Sequence, residues 1–369
     1  MREWWICVCA CLLLAGGSAR SQDSTILLWP DGAPGAAGDT DDDTPRLTVF
    51  RPSEQTADMA VIVCPGGGYQ KKYFGYDNEG VPTAEWLAER GILSFILTYR
   101  CSPGYLHPYP ALDGKRAVRH VRAHAAEWNV DPDKIGMLGF SAGAHLTTTV
   151  GTRFDAGDPD NADPVEQQSC KPDFLVLNSS VISMRDEVTH PWTRAKLLGD
   201  EPAQDSVLAL SNELQVTPET PPTFIVNSEE DTLVKAMNSL LFAFACDDQG
   251  VPVKHYELPG ELHSIPITYA AWGDTCLQWL QTLGMLPLRR PGTRGLGTPT
   301  APFERGAMKR VLAGRRGGRP GPASVLFREA VADPEQVPCW VNLMGRAVAP
   351  AYGRPSRSEV SSNRTRPAP

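Results

Sequence analysis

Short, continuous apolar runs recur along the first 286 positions, and stretches with a helical period lie between them. Met59 to Cys64 is a continuous apolar run, as a strand buried on both faces requires, and Ile92 to Tyr99 reads as the next buried strand. Phe174 to Leu177 and Thr223 to Asn227 are two more short apolar runs, and Lys134 to Leu138 and Val253 to Leu258 read as strands. Between them, Val81 to Arg90 reads as a helix ended by Gly91. Asp113 to Trp128 places Ala117, Val118, Val121, Ala125 and Trp128 along one side. Further helices are expected from Ala144 onward, over Ala236 to Asp247 and over Ala270 to Leu283. Strands that alternate with helices of this length predict an α/β domain, with a mostly parallel central sheet and helices on both faces.

Both termini break the pattern. Arg2 precedes the apolar stretch Trp4 to Leu14, which is too short to span a bilayer, and the small residues Gly16-Gly17-Ser18-Ala19 follow. Residues 1–19 therefore read as a signal peptide, and the expected destination is secreted or periplasmic, with no stable membrane insertion. Six of the nine cysteines lie beyond it, at none of the close spacings of a zinc site, so an oxidising compartment would permit one or two disulfides. The far end differs again. Residues 1–286 carry 20 Lys+Arg against 38 Asp+Glu, whereas residues 287–369 carry 15 against 5. With 10 Gly and 12 Pro among those last 83 positions and no apolar period, the tail is expected to be disordered. It lacks interleaved aromatics for base stacking, so its charge does not make nucleic acid an expected partner. The folded domain is accordingly residues 20–286.

Candidate chemistry begins at Gly139-Phe140-Ser141-Ala142-Gly143. A G-x-S-x-G pattern is common by chance and gains meaning from a strand before it and a helix after it, both of which are expected here. A serine hydroxyl needs an imidazole to take its proton, and the imidazole needs a carboxylate to fix its tautomer. On an α/β-hydrolase scaffold the chain order is serine, acid, histidine. His263, in the loop between the last strand and the last helix, meets that order; His107, His120 and His124 precede the serine, and His145 has a packing role. The strand at Thr223 leads into Ser228-Glu229-Glu230-Asp231, from which Asp231 is chosen, with Glu230 its rival. Pro65-Gly66-Gly67-Gly68-Tyr69 follows the first buried strand, where the amides of Gly67 or Gly68, with that of Ala142, can form an oxyanion hole. It has neither dinucleotide nor phosphate-loop spacing. Tyr69, Tyr73, Phe74 and Trp192 are candidate surfaces for stacking on a sugar, with Tyr69 and Trp192 chosen as substrate-binding residues. Asp41-Asp42-Asp43 lacks calcium-ligand spacing and reads as a solvated turn. The chemistry calls for no metal and no organic cofactor.

At these residues the chain resembles the secreted α/β-hydrolase esterases of the acetylxylan esterase and bifunctional feruloyl/acetylxylan esterase type. The matching stretches include Cys64-Pro65-Gly66-Gly67-Gly68-Tyr69, Asn78-Glu79-Gly80, Leu97-Thr98-Tyr99-Arg100, Asp131-Pro132-Asp133-Lys134, Gly139-Phe140-Ser141-Ala142-Gly143 and Lys171-Pro172-Asp173-Phe174. They span the core and leave out the tail. The resemblance implies a serine esterase acting on acetyl or other short acyl esters, with an acylated carbohydrate or small ester as its partner. A glycosidase would instead need a carboxylate pair. The chain departs from the family pattern at Ala144 and Ser264, where glycine is usual, at Lys235, where proline is usual, and at Asn178-Ser179, where Tyr-Pro is usual. Two other readings compete: a serine peptidase of the same fold, and a non-catalytic binding module, which would show a disrupted triad.

Overall fold

The computed structural model describes residues 22–71, 74–260 and 262–287, with two further strand pairs of residues at 340–341 and 347–348. Eight strands form one sheet: β1 (Gln22–Leu27), β2 (Arg46–Phe50), β3 (Ala60–Cys64), β4 (Leu93–Thr98), β5 (Ile135–Phe140), β6 (Phe174–Asn178), β7 (Thr223–Ser228) and β8 (Val253–Leu258). Their spatial order is β1-β2-β4-β3-β5-β6-β7-β8, and every pair from β4 to β8 is parallel. Only β2 runs against its neighbours. β3 is central, with Ile62 opposite both Phe95 of β4 and Met137 of β5.

Alternation along the strands divides the core in two. Ile62, Leu93, Phe95, Met137, Leu175 and Ile225 face one side, covered by α2 (Tyr109–Ala123), α3 (Ala142–Thr152) and α6 (Met237–Asp248). Val61, Val63, Leu138, Phe140, Val176 and Phe224 face the other, covered by α1 (Val81–Ala88) and α7 (Trp272–Thr282). The two-residue side-chain period of a strand sends neighbours to opposite faces. Strands β3 to β7 are buried at every position, which is why they read as mostly apolar runs. β8 closes one edge and is half-buried, with Lys254, His255 and Glu257 among its residues. Charged and polar residues on an edge strand discourage pairing with another chain.

The helical ends differ in places from the periodicity. α2 starts at Tyr109, not Asp113, because Pro110 stands in the first turn, where its missing N–H is not needed. It ends at Ala123, and a short 3-10 turn over Ala125–Trp128 completes the expected span. A π-helical turn (Tyr76–Gly80) leads into α1. Between β6 and β7 lie two short helices, α4 (Pro191–Leu198) and α5 (Gln204–Ala209). α2 is fixed to the sheet by a buried ion pair at the end of β4. Arg100 and Asp113 are both fully buried, Arg100 Nη2 lies 2.7 Å from Asp113 Oδ1, and Arg100 Nη1 donates to the Pro34 carbonyl at 2.7 Å.

The disulfides that export would permit do not form among the described cysteines. Cys64, Cys101, Cys170, Cys246 and Cys276 are free and buried. The acidic run is not wholly solvated either, since Asp43 is buried and accepts hydrogen bonds from Thr40 and Tyr105. Residues 302–369 form a separate unit, in which Trp340–Val341 pairs antiparallel with Ala347–Val348. The expected signal peptide and the rest of the tail lie outside the described residues. Among those residues, no helix is long and apolar enough to cross a membrane.

Candidate active site

The site stands at the carboxyl ends of the parallel strands, where open α/β sheets present their loops to ligands. β5 ends at Phe140 and α3 begins at Ala142, so Ser141 alone makes the turn, at φ 50° and ψ −115°. For a non-glycine residue that conformation costs on the order of 1–3 kcal/mol and survives only where the surroundings enforce it. Here they do. A Cβ on Gly143 would fall 2.0 Å from the carbonyl oxygen of Cys64, and one on Gly139 would fall 2.4 Å from the Gly143 carbonyl oxygen. The turn is packed backbone against backbone, and the strained serine projects from it at the N-terminal end of α3.

His263 and Asp231 reach the serine from the loops after β8 and β7. His263 Nε2 is 3.0 Å from Ser141 Oγ, and His263 Nδ1 is 2.7 Å from Asp231 Oδ2. A carboxylate can only accept, so Nδ1 carries the proton and Nε2 is left to accept from the serine hydroxyl. Asp231 is held in turn, its Oδ1 accepting the N–H groups of Leu233 and Val234, both at 2.9 Å. Its side chain is only 1% exposed, against 18% for that of His263. Glu230 is exposed and takes no part in this line. Of the two candidate acids, the structure brings Asp231 to the histidine.

The glycine loop leaves β3 directly beside the nucleophile, since a Cβ on Gly66 would lie 3.0 Å from the Cβ of Ser141. Gly67 and Gly68 have φ of 114° and 63°, values that only glycine adopts easily. A side chain at Gly68 would also meet Trp192 Cδ1 at 2.9 Å. Trp192, near the start of α4, is 46% exposed and therefore borders the loop with its ring open to solvent. Lys196 Nζ sits 4.8 Å from that ring's centroid.

Tyr69 is a correction. It is 2% exposed, and its hydroxyl is 3.0 Å from His145 Nδ1, while His145 Nε2 lies 2.8 Å from the Leu210 carbonyl. Burial depresses the His145 pKa to about 4, so the imidazole is neutral and buttresses Tyr69 from within. A ring so enclosed cannot stack on a sugar. Phe74 is half-buried and packs edge-on against the buried Tyr99.

Four residues to which the sequence reading gave no role at the site prove to shape it. Asn178, at the end of β6, holds the histidine loop from both sides of one residue, donating to the Ile265 carbonyl at 2.8 Å and accepting its N–H at 3.0 Å. Ser179 Oγ accepts the N–H of Ser264 at 3.1 Å. Ser264 Oγ donates to Glu79 Oε1 at 2.5 Å, and Glu79 Oε2 accepts the Gly66 N–H at 2.5 Å. Asn178-Ser179 and Ser264 are departures from the family pattern more than 80 residues apart in the chain. They meet here in one hydrogen-bonded network, and their occurring together was the available signal.

A mostly parallel sheet with a strand–serine–helix turn at its centre, followed in order by acid and histidine, is the α/β-hydrolase fold. The chain belongs to the BD-FAE family, whose model matches residues 47–245. It is 33% identical over 246 residues to endo-1,4-beta-xylanase B of Butyrivibrio fibrisolvens, covering 65% of this chain and 38% of that one. It is 30% identical over 249 residues to an acetylxylan esterase of Xylanibacter ruminicola, covering 66% of this chain and 48% of that one. The chain thus spans less than half the length of these two relatives. The crystal structure of an acetyl ester-xyloside bifunctional hydrolase from Caldicellulosiruptor lactoaceticus superposes with a TM-score of 0.65 at 39% identity, covering 71% of this chain and 97% of that one.

Proposed function

We propose that this protein is an exported serine esterase that removes acetyl or other short acyl groups from plant-type polysaccharides or sugars. The hydrogen-bonded line Ser141–His263–Asp231 beside the glycine loop carries the reading. The names of the relatives support the substrate class, and the apolar segment after Arg2 supports export.

Ser141 Oγ attacks the acyl carbonyl carbon while His263 Nε2 takes its proton. The Asp231 carboxylate stabilises the imidazolium that forms. The amides of Gly67 or Gly68, with that of Ala142, receive the negative charge on the carbonyl oxygen, a donor set in which one member is worth about 2.7–4 kcal/mol in comparable enzymes. His263 then gives its proton to the departing sugar oxygen as the carbon–oxygen bond breaks, leaving an acyl-serine. Water, deprotonated by His263, attacks that ester, and the carboxylic acid leaves with Ser141 restored. Trp192 offers an exposed aromatic face at the rim for a sugar ring.

The test compares the purified chain with its Ser141→Ala variant on p-nitrophenyl acetate and on acetylated xylan, measuring released acetate. Turnover of both that falls on the order of 10⁵–10⁶-fold in the variant is the expected result. Turnover of the small ester alone would discard the polysaccharide. Preference for aminoacyl amides would favour a peptidase. A variant as active as the parent would leave a binding module.

A further inference from the structure

We infer that Glu79 is a second, positioning carboxylate of this site, which ties the glycine loop to the histidine loop and supplies negative charge that stabilises the His263 imidazolium. The inference rests on the esterase reading above. The two oxygens of Glu79 are divided between the two loops: Oε2 accepts the N–H of Gly66, next to the expected oxyanion donors, and Oε1 accepts the hydroxyl of Ser264, next to His263. The carboxylate lies in a recess walled by glycine. A Cβ on Gly75 would come within 2.4 Å of Oε2, and one on Gly66 within 3.1 Å. No side chain at either position could share the space. Among the described residues no cation pairs with Glu79, and His263 is the basic group that attracts it.

The electrostatics agree. Burial is the largest influence on Glu79 and raises its pKa, opposed by the bonds from Ser264 and Gly66 and by attraction to His263. That attraction is mutual, so negative charge on Glu79 favours the positive charge that His263 takes up during turnover. The other groups facing this pair are Asp231, bonded to Nδ1, His190, which precedes α4, and Tyr99, which follows β4. Burial and the neighbouring His263 lower the pKa of His190, and burial raises that of Tyr99. The carboxylates that face the histidine are Asp231 and Glu79.

Three variants separate charge from clamp. Glu79→Gln keeps the shape and removes the charge. We expect kcat to fall about tenfold or more and the acid limb of kcat/KM to move to lower pH by about half a unit or more, since one pKa unit corresponds to a factor of ten. Glu79→Asp withdraws the same charge by one methylene and moves the limb part of the way. Ser264→Gly removes only the hydroxyl, at a φ of 52° that suits glycine, and lowers kcat/KM several-fold with the limb in place. An acid limb at the parent's pH in both Glu79 variants overturns the proposal, even if kcat falls, because a purely structural clamp would do that. Should Glu79→Gln fail to fold, the Glu79→Asp profile decides alone. A Ser141→Ala variant as active as the parent sinks the esterase reading and this proposal together; an inactive Ser141→Ala beside unmoved Glu79 variants sinks this proposal alone.

Discussion

Two carboxylates, the buried Asp113 and the half-buried Glu79, sit in the same molecule under opposite arrangements. Asp113 meets a permanent cation. Arg100 lies against both of its oxygens, the Arg100 N–H donates to it at 2.8 Å, and neither side chain is exposed. The rings of Tyr105 and Tyr109 flank the guanidinium, with centroids 5.2 and 4.9 Å away. Glu79 meets an amide and a hydroxyl, and His263 attracts it from nearby. A carboxylate paired with a permanent cation holds one geometry, here α2 against the sheet. An incompletely compensated carboxylate keeps its attraction available for a charge formed during a reaction. Asp231 stands between these cases, fixed by two backbone amides and aimed at the imidazole.

The contrast can be broken at three places. Asp231→Asn should have the largest effect, lowering kcat on the order of 10⁴-fold with little change in unfolding, because the amide favours the wrong imidazole tautomer. Retention of more than a tenth of the parent kcat would remove Asp231 from the reacting line. Asp113→Asn should behave in the opposite way. It leaves Arg100 charged and buried, so urea unfolding should register a loss of about 3–5 kcal/mol, with near-parental kcat in the molecules that remain folded. A kcat that collapses in a stable Asp113→Asn protein would mean that the pair serves the chemistry. Glu230→Gln should do least: the side chain is exposed, and activity and stability should stay within about twofold and about 0.5 kcal/mol of the parent.

Much of the architecture was legible because β3 to β7 are buried on both faces and must be apolar at successive positions. The edge pair β1 and β2 was passed over. The polar Gln22-Asp23-Ser24 start of β1 gives no apolar run, and β2 (Arg46-Leu47-Thr48-Val49-Phe50) mixes polar and apolar positions. Pro108 and Pro110 hid the first turn of α2, although a proline there leaves every needed hydrogen bond intact. At the site, chain order and loop position pointed to Ser141 and His263 and narrowed the acid to Asp231 or its rival Glu230, since those depend on topology; only the folded geometry separates the two acids. Tyr69 was misjudged because an aromatic residue beside a glycine loop reads the same whether it points inward or outward. Its φ of 56° turns it toward His145. Glu79 escaped notice because its two partners lie 13 and 185 residues away, and only the folded chain brings them together.

The central claim, that Ser141 is the nucleophile of an ester hydrolase, is met most directly by covalent labelling. The full chain would be treated with an aryl fluorophosphonate, a stable mimic of the acyl-transfer adduct, then digested and examined by mass spectrometry alongside residual activity on p-nitrophenyl acetate. We predict one adduct per chain, on the peptide that carries Ser141, appearing in step with the loss of activity and absent from Ser141→Ala. Full inactivation with the adduct on another residue, or undiminished turnover by a protein fully labelled at Ser141, would contradict the account.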